Sequence, residues 1–281
     1  MSEQLSAALS NANTHFDKQA AIYESLTGGS TRRIAEAALS KLPAFTSESR
    51  ILDNACGPGI VAELILNNAA TSGVSPPPRI TATDLAAGMV AQLEAKKARG
   101  GWETVETKVL DAAKLEGVES NAYDAAIMNF GLFAVPDADE GAREMHRVLK
   151  SGGSAAVTTW KVSPPVDLLQ AVVGAIRPDC VERVFPVSKE WLTQEKLRDV
   201  MVAGGFTGDL VVDEAATVWN AKTKEEFLDS LTGTFWSRIW ADWTAEEQAT
   251  IRPEMEKLTP VDDKGEVNLE MVAWVCVAKK D

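Results

Sequence analysis

A chain of 281 residues with 45% hydrophobic and 25% charged residues has the balance of an ordinary globular protein, long enough for a sizeable α/β fold with some embellishment. Its net charge of −13 repels phosphate backbones and anionic lipid surfaces, so neither nucleic acid nor membrane is expected as a partner, and a small molecule is favoured. The three cysteines, Cys56, Cys180 and Cys276, are odd in number and far apart; with a polar N-terminus and no membrane-length apolar run, they point to a cytoplasmic protein without disulfide framework or metal site.

In chain order, residues 16–26 set Phe16, Ala20, Tyr23 and Leu26 on one helical face. Thr27-Gly28-Gly29-Ser30 ends that helix, and a second runs through Ile34, Ala37, Ala38 and Leu42 until Pro43 stops it. From Arg50 the pattern changes to short apolar runs separated by helical stretches. Strands are predicted at Ile51–Asn54, Ile80–Asp84, Thr104–Leu110, Ala125–Phe130, Ala155–Trp160, Leu210–Trp219 and Met271–Val277. Strand alternating with helix predicts a doubly wound, mostly parallel, seven-stranded Rossmann-like α/β sheet with helices on both faces. The last two strands lack such a crossover, which predicts an antiparallel edge strand. Two segments lie outside the rhythm, 163–187 and 222–260, and neither is long enough to bury a core of its own. Both are read as helical insertions over the sheet.

The segment from Arg50 to Ala62 is strand, glycine turn, helix. Gly57-Pro58-Gly59-Ile60-Val61-Ala62 satisfies G-x-G-x-x-[G/A], in which a residue without a Cβ lets the backbone approach a ligand closely. That pattern alone serves several adenosine cofactors, NAD included. Asp53, four residues before the first glycine, suits a pyrophosphate poorly and a cationic ammonium well; its bland role would be to cap the turn. Asp84 ends the second strand, where a carboxylate can accept ribose hydroxyls, and Asp111 ends the third, where an acid can face an adenine amino group. Asn129 closes the fourth strand, and Arg147-Val-Leu-Lys-Ser-Gly152-Gly153 leads into the fifth.

Taken in this order, residues 15–160 resemble the class I S-adenosylmethionine-dependent methyltransferases, and Phe16-Asp17…Tyr23…Thr27-Gly28-Gly29 resembles the N-terminal lid of their small-molecule members, notably those of fungal secondary metabolism. The resemblance implies S-adenosylmethionine as cofactor. Asp53, Ala55 and Gly57 would line its methionine end and Asp84 would hold the ribose. Leu85 and Met89 would pack on the adenine, Asp111 and Ala112 would edge it, Asn129 would face the sulfonium, and Tyr23 would reach the methionine carboxylate. Asn54 is a departure, standing where many members carry glycine or a small residue. The chain 1–281 then reads as a single domain: a helical lid at 1–45, a cofactor core at 50–160, and the two insertions as an acceptor lid.

Single residues divide between plain and functional roles. His146 falls on an outer helix and His15 before the lid helix, and neither occupies a catalytic loop. Cys56 reads as small packing beneath the cofactor. Trp236, Trp240 and Trp243 recur at about one helical turn, which fits a core stripe; over the cofactor, Trp236 and Trp240 with Phe130 would instead enclose a flat acceptor. With no evident general base, the expected acceptor is already nucleophilic: a thiolate, a free amine, or an acidic carbon or phenol. An NAD(P)-dependent oxidoreductase, or a non-catalytic methyltransferase-like binding protein, is the alternative. A monomer or homodimer fits either reading.

Overall fold

Seven stretches of the chain, most of them apolar and bounded by turns, become seven strands of one sheet. They are β1 (Arg50–Asn54), β2 (Arg79–Asp84), β3 (Val105–Val109), β4 (Tyr123–Asn129), β5 (Leu149–Val162), β6 (Leu210–Ala221) and β7 (Val267–Lys279), in spatial order β3-β2-β1-β4-β5-β7-β6. The computed structural model describes residues 23–184, 188–233 and 235–281. The pairs from β3 to β5 are all parallel; β7 runs antiparallel to both β5 and β6 and leaves β6 at the edge. The sheet is thus the mostly parallel one predicted, with an antiparallel pairing at one edge.

Side-chain alternation along the central strands sorts the core into two layers. Ile51, Ile80, Ala82, Ile127 and Ala156 face one side, where α2 (Ser30–Ser40), α3 (Ile60–Thr71) and α4 (Ala87–Gly100) cover them with Ala35, Leu39, Leu64, Ile65 and Leu93. Leu52, Ala126, Met128, Ala155 and Val157 face the other, beneath α5 (Ala138–Val148) and α7 (Gln194–Ala203), through Met145, Val148, Leu197 and Met201. α7 was not foreseen as an element. Its start is marked by Thr193, whose side chain accepts from the Lys196 amide, an N-cap that the sequence carries in plain view.

β5, β6 and β7 outrun the expected Ala155–Trp160, Leu210–Trp219 and Met271–Val277. β6 and β7 pair without interruption from Leu210 opposite Ala278 to Ala221 opposite Val267, and alternating Glu and Asn had hidden that length. The far end of this ribbon extends beyond the layered core. There Trp219, Val267, Leu269 and Met271 collect α6 (Pro164–Ile176), α8 (Lys224–Thr232) and α9 (Ala245–Leu258), with the turn Ser237–Trp240. The two irregular segments therefore pack on each other as well as on the strands. Of the N-terminal helix expected at 16–26, α1 (Tyr23–Leu26) is the described part; His15, Phe16, Asp17 and Ala20 lie outside the described residues.

Candidate active site

Strand order reverses between β1 and β4: β1 continues outward to β2 and β3, whereas β4 continues to β5 on the other side. The connections leaving the carboxyl ends of β1 and β4 must diverge there, and a crevice opens between them. A cavity occupies that position. The turn after β1 supplies Asp53, Ala55 and Gly57; the end of β2 and the start of α4 supply Asp84, Leu85 and Met89. Asp111 and Ala112 enter after β3, Asn129 and Phe130 after β4, and Tyr23 from α1.

The glycine turn is shaped by close approach. Gly59 has φ +86°, and a Cβ there would collide with Leu93 Cδ1, so helix α4 can lie against the turn only because that position has no side chain. Gly57, at φ +53°, meets nothing in the direction a Cβ would take and leaves the cavity open above the backbone. Two residues that are not glycine share positive φ beside the cavity, Ala55 at +55° and Phe130 at +57°. Such a conformation is costly for a bulky residue and clusters at functional sites. Phe130 is held in it by its amide, which donates to Thr158 Oγ1 at 3.0 Å, and by its ring, stacked on Trp160 at 4.1 Å between centroids.

Each acid is fixed differently. The Asp84 carboxylate accepts from the Gly57 amide at 2.8 Å and the Ala86 amide at 2.9 Å, clamping the turn to the start of α4. Asp111 accepts from Ala113 at 2.9 Å and pairs with Lys114 at 3.4 Å. Asp53 is wholly buried; its Oδ2 accepts from the Ala62 amide at 3.2 Å, while Oδ1 has no hydrogen-bond partner among the described residues. Burial pushes its carboxyl up to about 8, the Asp84 charge adding to the rise and the Ala62 amide opposing it. Burial, with Asp84, likewise raises the Tyr23 hydroxyl to about 12.

Among the described residues that line the cavity there are three aspartates and no lysine, arginine or histidine. A buried, half-satisfied carboxylate in such surroundings is stabilised by a positively charged ligand and destabilised by an anionic one. That donor set fits a cofactor carrying an ammonium and a sulfonium, and opposes a pyrophosphate.

The sequence had left Asn54 without an explanation. It is fully buried and accepts from Thr83 Oγ1 at 2.9 Å while its amide donates to the Ala112 carbonyl at 3.4 Å, so it ties the ends of β1, β2 and β3 together behind the cavity. Asn129 is equally constrained, accepting from Thr158 Oγ1 at 2.9 Å and donating to the Thr31 carbonyl of α2 at 3.3 Å. Cys56 lies in the lining with its thiol raised well above the ordinary range by burial and by the neighbouring aspartates, which leaves it unsuited to act as a nucleophile.

Two expected pocket residues lie elsewhere. Trp240 is 6% exposed within the cluster formed by α6, α8 and α9, beside Phe227, Ile239 and Trp243; Trp236 packs against the same cluster, and neither lines the cavity. The long β6–β7 ribbon offered these rings an apolar surface of its own. His146 is also remote, its ring edge-on to Phe206 at 5.0 Å. Conversely, Ala134, Val135 and Pro136 line the cavity without having been singled out from the sequence. The apolar run Gly131-Leu-Phe-Ala-Val-Pro136 was the available signal.

Residues 51–153 match a family described as a methyltransferase domain. The chain is 27% identical over 221 residues to methyltransferase ktnA of Aspergillus niger, covering 68% of this chain and 72% of that one. It is 27% identical over 161 residues to methyltransferase tpcH of Aspergillus fumigatus, covering 56% of each. Among solved structures, the [4+2]-cyclase SpnF superposes with a TM-score of 0.58 at 18% identity, over 95% of this chain and 94% of the other, a likeness of fold alone.

Proposed function

Since the chain is a class I S-adenosylmethionine-dependent methyltransferase, we propose that it methylates a small organic acceptor of secondary metabolism, and that the ten cavity residues named from the sequence hold the cofactor. The observation that carries the second part is Asp53: a buried carboxylate with one unpartnered oxygen, in a lining with no basic group among the described residues. When bound, S-adenosylmethionine supplies an electrophilic methyl group on a sulfonium.

The chain's own residues then have distinct tasks. Asp53, Ala55 and Gly57 receive the methionine end, and the Asp53 carboxylate neutralises its positive charge without exposure to water. Asp84, prefixed by two amides, accepts from the ribose hydroxyls; Leu85 and Met89 cover the adenine, and Asp111 with Ala112 borders its edge. Tyr23 contributes its hydroxyl from above. Asn129, tethered on both sides, keeps the methyl-transfer face polar and fixed. Phe130 carries the apolar wall toward the acceptor, backed by Trp160. The protein's contribution is alignment and exclusion of water, and among the described residues none that lines the cavity is a histidine or lysine poised to take a proton. That supports an acceptor that arrives nucleophilic, as a thiolate, amine or acidic phenol or carbon.

Calorimetry with S-adenosylhomocysteine and with NADH tests the cofactor: binding of the first alone is expected, and binding of NADH alone would overturn the reading. Transfer from labelled S-adenosylmethionine to a panel of thiols, amines and phenols tests the acceptor. Activity confined to unactivated alcohols, with an essential protein base in the pH–rate profile, would overturn the acceptor proposal.

A further inference from the structure

The cofactor cavity is bordered by α1, the described part of the N-terminal helix. Its first described residue, Tyr23, packs against Ala86 and Met89 at the start of α4 and lines the cavity beside Asp84. Its second, Glu24, points its carboxylate into a cluster of charges contributed by three other helices.

In that cluster Arg32 of α2 reaches Glu24 at 2.7 Å and Glu63 of α3 at 2.8 Å. Lys96 of α4 pairs with Glu24 and also with Glu63, the latter at 3.2 Å. Two carboxylates and two cations close a ring in which every member has two opposite-charge partners. The four side chains keep between 22% and 33% of their exposure, so the ring is partly shielded from solvent without being sealed from it. Burial would raise the Glu24 and Glu63 carboxyls, but contact with Arg32 and Lys96 holds both below the ordinary range. The ring is therefore ionised at neutral pH, and it anchors α1 to the helices on this side of the sheet. Tyr23 and Glu24 are adjacent on one turn, so the ring that holds Glu24 also helps to hold Tyr23 at the cavity.

We propose that the Glu24–Arg32–Glu63–Lys96 ring is a latch that holds Tyr23 over the bound cofactor and sets how fast the cofactor leaves. Glu24 and Lys96 are then positioning residues that act through Tyr23. The inference rests on the cofactor reading above. A ring of partly screened pairs is individually weak, so its opening is frequent and sensitive to salt.

The test follows release of S-adenosylhomocysteine from the full chain by stopped-flow, using intrinsic tryptophan fluorescence. Glu24→Gln and Lys96→Met, on different helices, are each expected to speed release about 3- to 10-fold, whereas Lys96→Arg retains the wild-type rate. Raising the salt speeds wild-type release and has little effect on Glu24→Gln. In a Tyr23→Ala background Glu24→Gln adds nothing, a non-additivity that mere loss of stability would not produce. Unchanged release in both Glu24→Gln and Lys96→Met, or full additivity with Tyr23→Ala, overturns the latch while the cofactor reading stands. Wild-type protein that binds no S-adenosylhomocysteine overturns both.

Discussion

At the scale of single residues the site turns on what burial does to a carboxylate. Asp53 titrates at about 8 in the folded chain against an ordinary value of 3.8, so between these limits the folded state keeps a proton that the unfolded chain has lost. Stability of the unliganded protein should therefore fall as pH rises from about 4 to 8, by at most ~1.4 kcal/mol per pH unit from this group. Asp53→Asn should flatten that slope, read by denaturant unfolding across the range. The same substitution removes the countercharge for a cationic ligand, and S-adenosylhomocysteine should bind roughly 10- to 100-fold more weakly by calorimetry. Asp84→Asn should weaken binding by a similar factor and, by removing the charge that adds to the Asp53 rise, narrow the pH range of that slope without abolishing it. Asp53, Asp84 and Asp111 could be picked out in the sequence because each stands at a strand end, where the fold class puts side chains into the crevice. The bracing by Asn54 and Thr158 was not legible, because the partners described for them lie 28 residues or more away in the chain.

At the scale of elements the glycine turn and α4 form one fitted joint. Gly59→Ala combines a left-handed backbone with a collision at Leu93, and is expected to destabilise the fold by about 2–4 kcal/mol. Leu93→Ala alone opens a cavity and costs about 2–5 kcal/mol, yet it removes the atom that the new methyl group meets. The double variant should therefore be less destabilised than the sum of the two singles, which chemical denaturation of all four proteins would show. Additive losses would mean that backbone strain, not the Leu93 contact, is what requires glycine there. The strand runs and the amphipathic α3 and α4 were readable because hydrophobic periodicity is local. α7 and the full lengths of β5, β6 and β7 were not, since an exposed alternating strand looks like loop until a partner is known.

At the scale of the molecule, the described residues hold a layered core under the cavity and, apart from it, the helical cluster at the far end of the β6–β7 ribbon. Trp240 belongs to the second. Trp240→Ala should cost about 3–5 kcal/mol of stability and leave S-adenosylhomocysteine affinity within about two-fold of wild type, by denaturation and calorimetry together. A large loss of affinity in a protein that stays folded would return this tryptophan to the cavity wall. No described helix is long and apolar enough to cross a membrane.

The sequence by itself determined the α/β class, the seven strands, the glycine turn and the acids at the strand ends, since each depends on spacing along a few neighbouring residues. Only the tertiary structure decided where the tryptophans go and how Asn54 and Asn129 are held. It alone showed that Glu24, Arg32, Glu63 and Lys96 meet in one ring. Those outcomes depend on pairings between segments far apart in the chain, and side-chain type alone does not say which distant surface a residue will meet.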